Sequence, residues 1–263
     1  MKRSCLLLLL IGIFISGSGF AQCDTNAINK ENDRILNLCY EKPEQALKDC
    51  EKVITRSQKC KYIPGEVRAL IRIGICYDVL SKSELSIASY KKAVAVSKEH
   101  GYLKGIASCE NNLGLIYWRQ NNLKRAIQSF HKAKLFFEKM NDYPNVAATQ
   151  NNLGLLYEEL DLLKTALFWY RKSIATYRRA NEKDQVLDVY SNMGTVFNTM
   201  EQKDSSMHYS DLAIQGYRRT SNNYGLAIVL CNKAMLLADA KKYKLAEEYY
   251  SESAVLAKEI ENE

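Results

Sequence analysis

The stretch NNLGLIYWRQ at residues 111–120 returns as NNLGLLYEEL at residues 151–160. Five residues are identical, and the same tyrosine follows after one intervening position. The offset is 40 residues, and self-similarity at a fixed period of roughly 20–50 residues is typical of stacked repeat architectures. The repeat is therefore the feature of this sequence that decides its fold.

The same 40-residue step continues along the chain in both directions. A step from Gly114 meets only small residues, namely Gly74, Gly114, Gly154, Gly194 and Ala234. A step from Tyr117 meets large apolar or aromatic residues, namely Tyr77, Tyr117, Tyr157, Phe197 and Leu237. The positions 40 residues before and after Ala126 and Phe130 also carry similar residues in most units. We therefore predict a degenerate hairpin at 22–63 and five units at 64–103, 104–143, 144–183, 184–223 and 224–263.

Each unit has the pattern of two helices. Within residues 144–183, apolar side chains recur every three or four residues, first in AATQNNLGLLYEEL and then in LKTALFWYRKSIATYRR. Pro64 and Pro144 share one phase, where proline suits the first turn of a helix because that N–H has no intrahelical partner. Glycine inside a helix costs about 1 kcal/mol relative to alanine. We therefore expect the glycine column to serve close helix packing.

The series Leu113, Gly114, Tyr117, Ala126 and Phe130, which is echoed one period later, resembles the tetratricopeptide repeat (TPR). Two features differ: the tryptophan expected near the start is absent, and the usual period is about 34 residues. The longer period is similar to that of kinesin light chains, spindle-orientation adaptors and bacterial peptide-sensing regulators. The resemblance implies an all-α, right-handed α-α superhelix of about six hairpins that binds peptides or protein segments and is not an enzyme.

Residues 1–21 predict a signal peptide. The basic MKR precedes a run of eleven apolar residues, and Gly19 and Ala21 are small residues at the positions that signal peptidase requires. A transmembrane helix would need about twenty apolar residues. We expect cleavage after Ala21, a periplasmic or secreted product, and no membrane span after cleavage. A lipoprotein anchored at Cys23 is the alternative, which Gln22 disfavours because it is not small.

Composition and motifs argue against several function classes. The 37 lysines and arginines only modestly exceed the 30 aspartates and glutamates, which is too weak a bias to predict nucleic-acid binding. His100, His131 and His208 are scattered without metal-ligand spacing, and no C-x-x-C occurs. The mature sequence has no glycine-rich phosphate-binding loop. We therefore expect no catalysis, no metal and no cofactor.

The cysteines suggest one disulfide bond. Seven remain after signal cleavage, and an odd number leaves at least one unpaired. If the first hairpin turns at Lys42–Pro43, Cys23 and Cys60 lie at nearly equal distances along the chain before and after that turn. Antiparallel helices would then bring the two thiols together at the open end of the hairpin. The alternative is that all seven cysteines are reduced, small core residues.

The resemblance to TPR proteins also implies a binding surface, because the first helices of their repeats line a concave face. In this sequence an asparagine recurs at 40-residue spacing just before the small column, at Asn112, Asn152, Asn192 and Asn232. Arg72 takes that position in the first unit. An amide offers donors and an acceptor, so this asparagine ladder is expected to clamp the backbone of an extended segment. The alternative is that the asparagines bridge neighbouring helices.

Other groove positions are expected to give specificity; they are Leu115, Leu155, Trp118, Arg119, Glu158 and Glu159. Trp118 with Arg119 is the predicted hot spot, because aromatic residues and arginine dominate interface energies. Packing of Trp118 within the fold is the alternative. We expect a non-catalytic scaffold for a protein or peptide partner. A ligand-sensing ectodomain of a signalling protein is the second interpretation, and glycan or small-ligand binding is the third. The uncapped last unit further suggests self-association.

Overall fold

A computed structural model describes residues 23–261, and this part of the chain forms α-helices joined by short turns. The helices are α1 (Thr25–Glu41), α2 (Pro43–Lys59), α3 (Ile63–Val79), α4 (Ser83–Glu99), α5 (Leu103–Arg119), α6 (Leu123–Lys139), α7 (Tyr143–Glu159), α8 (Leu163–Arg179), α9 (Val186–Thr199), α10 (Lys203–Thr220), α11 (Asn223–Asp239) and α12 (Tyr243–Glu261). The predicted all-α superhelix of six hairpins is confirmed. The predicted signal peptide lies outside the described residues, within which no helix could cross a membrane.

The helices alternate between two layers. Each odd-numbered helix packs against the even-numbered helix that follows it, as short connections between helices require. Odd-numbered helices also contact one another across repeats, α1 with α3, α3 with α5, α7 with α9 and α9 with α11. Even-numbered helices make no comparable contacts with one another among residues 23–261. The odd-numbered helices therefore lie on the inner, concave side of the superhelix, as the resemblance to TPR proteins implied.

The turns between helices repeat as regularly as the helices. From the turn between α2 and α3 onward, each turn has a residue with positive φ, namely Lys61, Ser81, Gly101, Asn121, Asn141, Asp161, Asn181, Glu201, Ser221 and Lys241. Just after this residue, an amide N–H donates to a carbonyl of the preceding helix, as from Lys82 to Tyr77 at 2.7 Å and from Asn122 to Tyr117 at 2.8 Å. This left-handed closure ends one helix and directs the chain back along it.

The glycine column is a set of contacts with aromatic rings. Gly154 lies so close to Tyr170 of α8 that an added Cβ would be 2.5 Å from Cδ1 of the ring. Gly74 faces Tyr90 and Gly114 faces Phe130 in the same manner. The three rings are almost completely buried, with at most 2% of their surface exposed. Glycine is therefore required here by the close approach of an aromatic side chain to the helix backbone.

The fourth glycine has a different neighbour. A Cβ added to Gly194 would meet the hydroxyl oxygen of Ser210 at 3.0 Å, because serine replaces the aromatic ring there. The backbone carbonyl of Gly194 accepts a hydrogen bond of 2.7 Å from Ser206. Ser86 makes the equivalent bond of 2.7 Å to Gly74. The small column on the even-numbered helices thus fastens the two helices of a hairpin wherever it carries a hydroxyl.

A disulfide bond joins the two ends of the first hairpin. It links Cys23, just before α1, to Cys60, just after α2, with the Cα atoms 5.6 Å apart. Cys39, Cys50 and Cys76 are free and buried in the cluster that α1, α2 and α3 form. Burial raises the pKa of the Cys50 thiol to about 12. The Cys50 thiol thus behaves as a small core side chain.

Candidate ligand-binding groove

A cavity of about 590 Å³ opens on the concave face near the N-terminal end of the superhelix. Four successive odd-numbered helices supply most of its walls, with Asn29 on α1, Arg72 on α3, Asn112 on α5 and Asn145 on α7, and Phe137 of α6 also lines it. We name it the N-terminal cavity. It is lined by Asn29, Tyr62, Pro64, Arg68, Ile71, Arg72, Ile75, Tyr102, Lys104, Gly105, Ser108, Asn111, Asn112, Phe137 and Asn145. Its size lies in the range of ligand pockets, about 300–1,000 Å³.

The charged side chains that line the N-terminal cavity are all cationic. Arg68, Arg72 and Lys104 line it, whereas none of its lining residues is acidic. Arg68 pairs with the carboxylate of Asp33. Arg72 instead donates its Nε–H to the backbone carbonyl of Asn32 at 3.4 Å. Burial, and secondly the positive charge of Arg68, lower the pKa of the Arg72 guanidinium below its ordinary value.

The asparagine ladder divides into two roles. The side-chain amide of Asn152 donates to Asn111 Oδ1 at 3.4 Å, and that of Asn192 donates to Asn151 Oδ1 at 3.2 Å. These two asparagines bridge neighbouring repeats, as the alternative interpretation held. The amide of Asn112 has no hydrogen-bond partner in the described part of the chain and lines the N-terminal cavity.

Asn232, at the far end of the ladder, resembles Asn112. Its amide also has no hydrogen-bond partner among the described residues. It lines a smaller cavity of about 110 Å³, together with Thr195, Asn198 and Met235. The amides at the two ends of the ladder are thus free to bind a ligand, whereas the two between them hold the repeats together.

Trp118 and Arg119 also make contacts between repeats. The guanidinium of Arg119 binds both carboxylate oxygens of Asp78 at 2.5 Å. The indole N–H of Trp118 donates to Glu159, and its ring packs edge-on against Phe130 with the centroids 6.5 Å apart. Leu115, Trp118, Arg119 and Glu159 line a second cavity of about 460 Å³. The sequence thus predicted a group of residues that do lie together, but their polar atoms already have partners.

Glu158 and Leu155 are directed toward the fold. The hydroxyl of Tyr170 on α8 donates to Glu158 Oε2 at 2.6 Å. Burial raises the pKa of the Glu158 carboxyl, and the hydrogen bond from Tyr170 lowers it by less. Leu155 is half-buried and packs against the core cluster that α7 shares with α8 and α9. These two side chains therefore stabilise the hairpin more directly than they line the groove.

The raised pKa of Glu158 predicts a pH dependence of stability. The folded state favours the protonated carboxyl. The resulting contribution of Glu158 to the free energy of unfolding is therefore fully present below the unfolded pKa of about 4.3, and it is lost as the pH rises through the folded pKa. Glu158→Gln keeps an acceptor for Tyr170 and carries no charge. We expect the free energy of unfolding of the variant, relative to that of the natural chain, to increase as the pH is raised from 4 to 7.

Urea midpoints of both proteins at the two pH values measure this difference. Glu159→Gln is the matched control, because that neighbouring side chain is exposed and contacts Trp118 instead of Tyr170. An equal midpoint difference between Glu158→Gln and the natural chain at both pH values would show that the Glu158 carboxyl titrates alike in the folded and unfolded states.

Sequence reasoning missed several residues of the N-terminal cavity. Arg68 and Ser108 lie one turn before the asparagine ladder, and Ile71 and Asn111 lie directly beside it. The second asparagine of NNLGL was predicted to bind, but the first one was overlooked. The doubled letter could have indicated its role, because Asn111 and Asn151 accept the hydrogen bonds from Asn152 and Asn192. No group of three or more histidine, cysteine or acidic side chains within the described ranges is placed to hold a metal ion.

Comparison with known families identifies the repeat. Residues 105–179 match the family model described as Tetratricopeptide repeat. Residues 105–179 thus carry TPRs. No curated protein matches the sequence significantly.

Solved structures share the all-α superhelical fold over most of the chain. BtubC (BKLC) from P. vanneervenii is 14% identical with a TM-score of 0.74, over 84% of this chain and 93% of that one. The pilF protein of Pseudomonas aeruginosa is 19% identical with a TM-score of 0.61, over 85% and 90%. NprR, in complex with its cognate peptide NprX, is 15% identical with a TM-score of 0.61, over 89% and 68%. At these identities the similarity shows the fold alone.

Proposed function

We propose that this TPR superhelix is a non-catalytic scaffold that captures a peptide or an extended protein segment in its concave groove, outside the cytoplasm. The observation that carries the proposal is the free amide of Asn112 in the N-terminal cavity. A half-buried amide without a partner is costly unless a ligand or water satisfies it. An amide matches the N–H and C=O groups of an extended backbone, whatever side chains that segment carries.

The apolar part of the N-terminal cavity adds to this argument. Ile71 and Ile75 of α3 line it beside the polar side chains. Binding sites of this kind combine an apolar surface with a few convergent polar groups that fix orientation. NprR, which has the same fold, was solved in complex with a peptide. A peptide segment therefore suits the groove in shape and in chemistry.

Two features support a location outside the cytoplasm. The N-terminal sequence has the charge, apolar run and small residues of a signal peptide. The disulfide bond between Cys23 and Cys60 would persist in an oxidising compartment but would be rare in the cytosol. The test is to express the full-length chain and to determine the N-terminus of the secreted product by mass spectrometry. A secreted product that begins at Gln22 would support this location, and a product that retains Met1 would contradict it.

The Asn112 amide provides the test of groove binding. Peptides selected from a random display library on the natural protein would serve as ligands. We expect Asn112→Ala to weaken their binding about tenfold, because one or two hydrogen bonds, each contributing about 0.5–1.5 kcal/mol, are lost. Fluorescence anisotropy with labelled peptides measures the change. Unchanged affinity would refute the role of Asn112 in binding.

Asn152→Ala is the matched control for this experiment. Its side-chain amide already donates a hydrogen bond to Asn111. We therefore expect Asn152→Ala to lower the free energy of unfolding by about 0.5–1.5 kcal/mol and to weaken peptide binding less than Asn112→Ala does. Equal losses of affinity in the two variants would show that the ladder binds the ligand as a unit.

Self-association through the last repeat is a separate proposal. The outer surface of α12 exposes apolar side chains that another repeat would normally cover, including Leu245, Tyr250 and Val255, which are 41%, 40% and 58% exposed. Sedimentation equilibrium tests it, since a dimer that dissociates in Val255→Lys would support this contact and a monomer at every concentration would exclude it.

A further inference from the structure

We propose that the outer face of α6 and α8 is a docking surface for an anionic lipid bilayer. The even-numbered helices lie on the side of the superhelix away from the concave groove. The inference therefore goes beyond peptide capture and does not depend on it. We call this surface the basic face. Its exposed side chains include Lys124, Lys132, Leu135, Lys164, Phe168 and Lys172.

The first argument is the concentration of positive charge in these two helices. Five lysines and arginines and one acidic residue lie in α6, and five lysines and arginines and no acidic residue lie in α8. The whole chain has 37 lysines and arginines and 30 acidic residues, so the parts outside α6 and α8 have 27 and 29. The net positive charge of the chain therefore comes from this pair of helices.

Most of these cations have no carboxylate partner. Lys132 pairs with Glu110 at 3.7 Å, and Lys134 pairs with Glu138 at 2.8 Å. The other eight form no ion pair with any residue in the range 23–261. Each of those eight is exposed. Their charges are therefore available to an anionic surface that comes within a Debye length of the protein, about 10 Å at 0.1 M salt.

The basic face spans two adjacent repeats and ends on both sides. Lys124 and Lys164 occupy equivalent positions, and the repeats before and after them carry Glu84 and Asp204 there. Each of the two helices has 17 residues and is therefore about 25 Å long. Because a convex surface touches a flat one over a short distance, a patch that is two helices wide suits contact with a bilayer.

The second argument is the apolar surface among these charges. Phe168 is 50% exposed and Leu135 is 49% exposed. The ammonium group of Lys172 lies 5.7 Å from the centroid of the Phe168 ring. The Trp169 ring packs edge-on against Phe168 and also against His131 of α6, so the two helices meet at this surface. Proteins that bind at a bilayer surface insert apolar side chains at the acyl boundary while lysines and arginines reach the lipid phosphates. An acidic protein would need only the charges.

Binding to lipid vesicles tests the proposal. Sedimentation assays compare vesicles of phosphatidylcholine and phosphatidylglycerol in equal amounts with vesicles of phosphatidylcholine alone. We expect the natural protein to bind the anionic vesicles at least about tenfold more tightly, and added salt should remove this preference. Every variant keeps the N-terminus of the natural protein, so any affinity of that segment for lipid is common to all of them. Equal binding to the two kinds of vesicle would refute the proposal.

A triple variant removes charge from the basic face, namely Lys124→Gln, Lys164→Gln and Lys172→Gln. One lysine close to an anionic membrane strengthens binding about fivefold, so we expect the triple variant to bind the anionic vesicles about a hundredfold more weakly. Circular dichroism verifies that it remains folded. Peptides selected for the concave groove should bind it with unchanged affinity, so that vesicle binding and peptide capture succeed or fail separately.

The matched control removes three exposed lysines from other even-numbered helices, namely Lys48→Gln, Lys203→Gln and Lys244→Gln. Its net charge equals that of the first triple variant, but its basic face is intact. We expect it to weaken vesicle binding less than about threefold, because salt screens charges that lie far from the contact. Equal losses in the two triple variants would overturn the proposal, since net charge and not the basic face would then attract the lipid.

Phe168→Ala distinguishes a bilayer from an acidic protein. If the phenylalanine enters the acyl boundary, its loss should weaken binding to the anionic vesicles about tenfold or more. Tyr40→Ala, at an exposed aromatic residue of α1, should leave binding unchanged. Polyaspartate serves as a polyanion without acyl chains. If the natural protein binds polyaspartate as tightly as it binds the vesicles, and Phe168→Ala weakens neither, the bilayer is refuted and the basic face docks an acidic protein.

Discussion

Gly154→Ala is expected to destabilise the central hairpin by about 1–3 kcal/mol, the usual cost of overpacking a filled core. The new methyl group would lie 2.5 Å from Cδ1 of Tyr170, whose ring is completely buried. The ring has little free space to enter, and any shift would also disturb its hydrogen bond to Glu158. This cost outweighs the gain of about 1 kcal/mol that alanine brings to a helix interior. Urea unfolding followed by circular dichroism measures the change.

Gly194→Ala is the matched control for this prediction, because it makes the same substitution at the equivalent position of the next repeat. The nearest atom to its Cβ would be the hydroxyl oxygen of Ser210, at 3.0 Å, and that hydroxyl can rotate away; the next atoms are backbone atoms at ordinary contact distances of 3.5 and 3.6 Å. We expect unchanged stability or a gain of up to about 1 kcal/mol from helix propensity. Equal destabilisation at the two sites would show that the facing aromatic ring is not the reason for glycine.

Removal of the disulfide bond is expected to have the largest single effect. The bridge spans 37 residues, and closure of a loop of that length restricts the unfolded chain by about 3–4 kcal/mol. Cys23→Ser should therefore loosen α1 and α2, a hairpin that packs against one neighbouring repeat within residues 23–261. Hydrogen exchange of the amides in α1 and α2 measures this loss where it occurs, while α5 to α8 should change little.

Two controls accompany the disulfide prediction. Cys231→Ser replaces a free, half-buried cysteine, and we expect it to leave exchange in α1 and α2 unchanged. Reduction of the natural protein should reproduce the effect of Cys23→Ser. If the intact mass and the exchange rates are the same with and without reductant, no bond joins Cys23 and Cys60 in solution.

The fold was predictable because it depends on contacts that recur. The 40-residue phase of Gly114 and Gly154 already implied a helix-to-helix contact in every unit. The helices obey local rules as well, with Pro64 and Pro144 in first turns and residues such as Asn121 in the left-handed turn positions. Each repeat packs chiefly on its neighbours, so local pattern and global fold agree. The irregular start of α9 at Val186 breaks that phase and was not predicted.

The candidate site was predictable only in part. The sequence identified Asn112 and Asn152 as equivalent, but the structure leaves the first amide free and bonds the second to Asn111. It also identified Arg119 as a binding residue, whereas Asp78 of the preceding repeat neutralises it. These differences arise because the partner of each side chain lies in the adjacent repeat, about one period away. Equivalent positions in the repeats carry the same residue type, but they do not show which partner the adjacent repeat provides.

The repeat and the helix pairs follow from periodic spacing and short-range backbone chemistry, and the concave face was implied by the resemblance to TPR proteins. Which polar groups of that face remain available depends on contacts between repeats in the folded chain. Hydrogen bonds and ion pairs across repeats satisfy Asn152, Asn192 and Arg119. At the N-terminal cavity they leave the Asn112 amide without a hydrogen-bond partner and Arg72 without an ion pair among the described residues. Whether a polar side chain is available to a ligand depends on its neighbours in the folded chain. The N-terminal cavity, where such side chains remain available, is therefore the place where a ligand would bind.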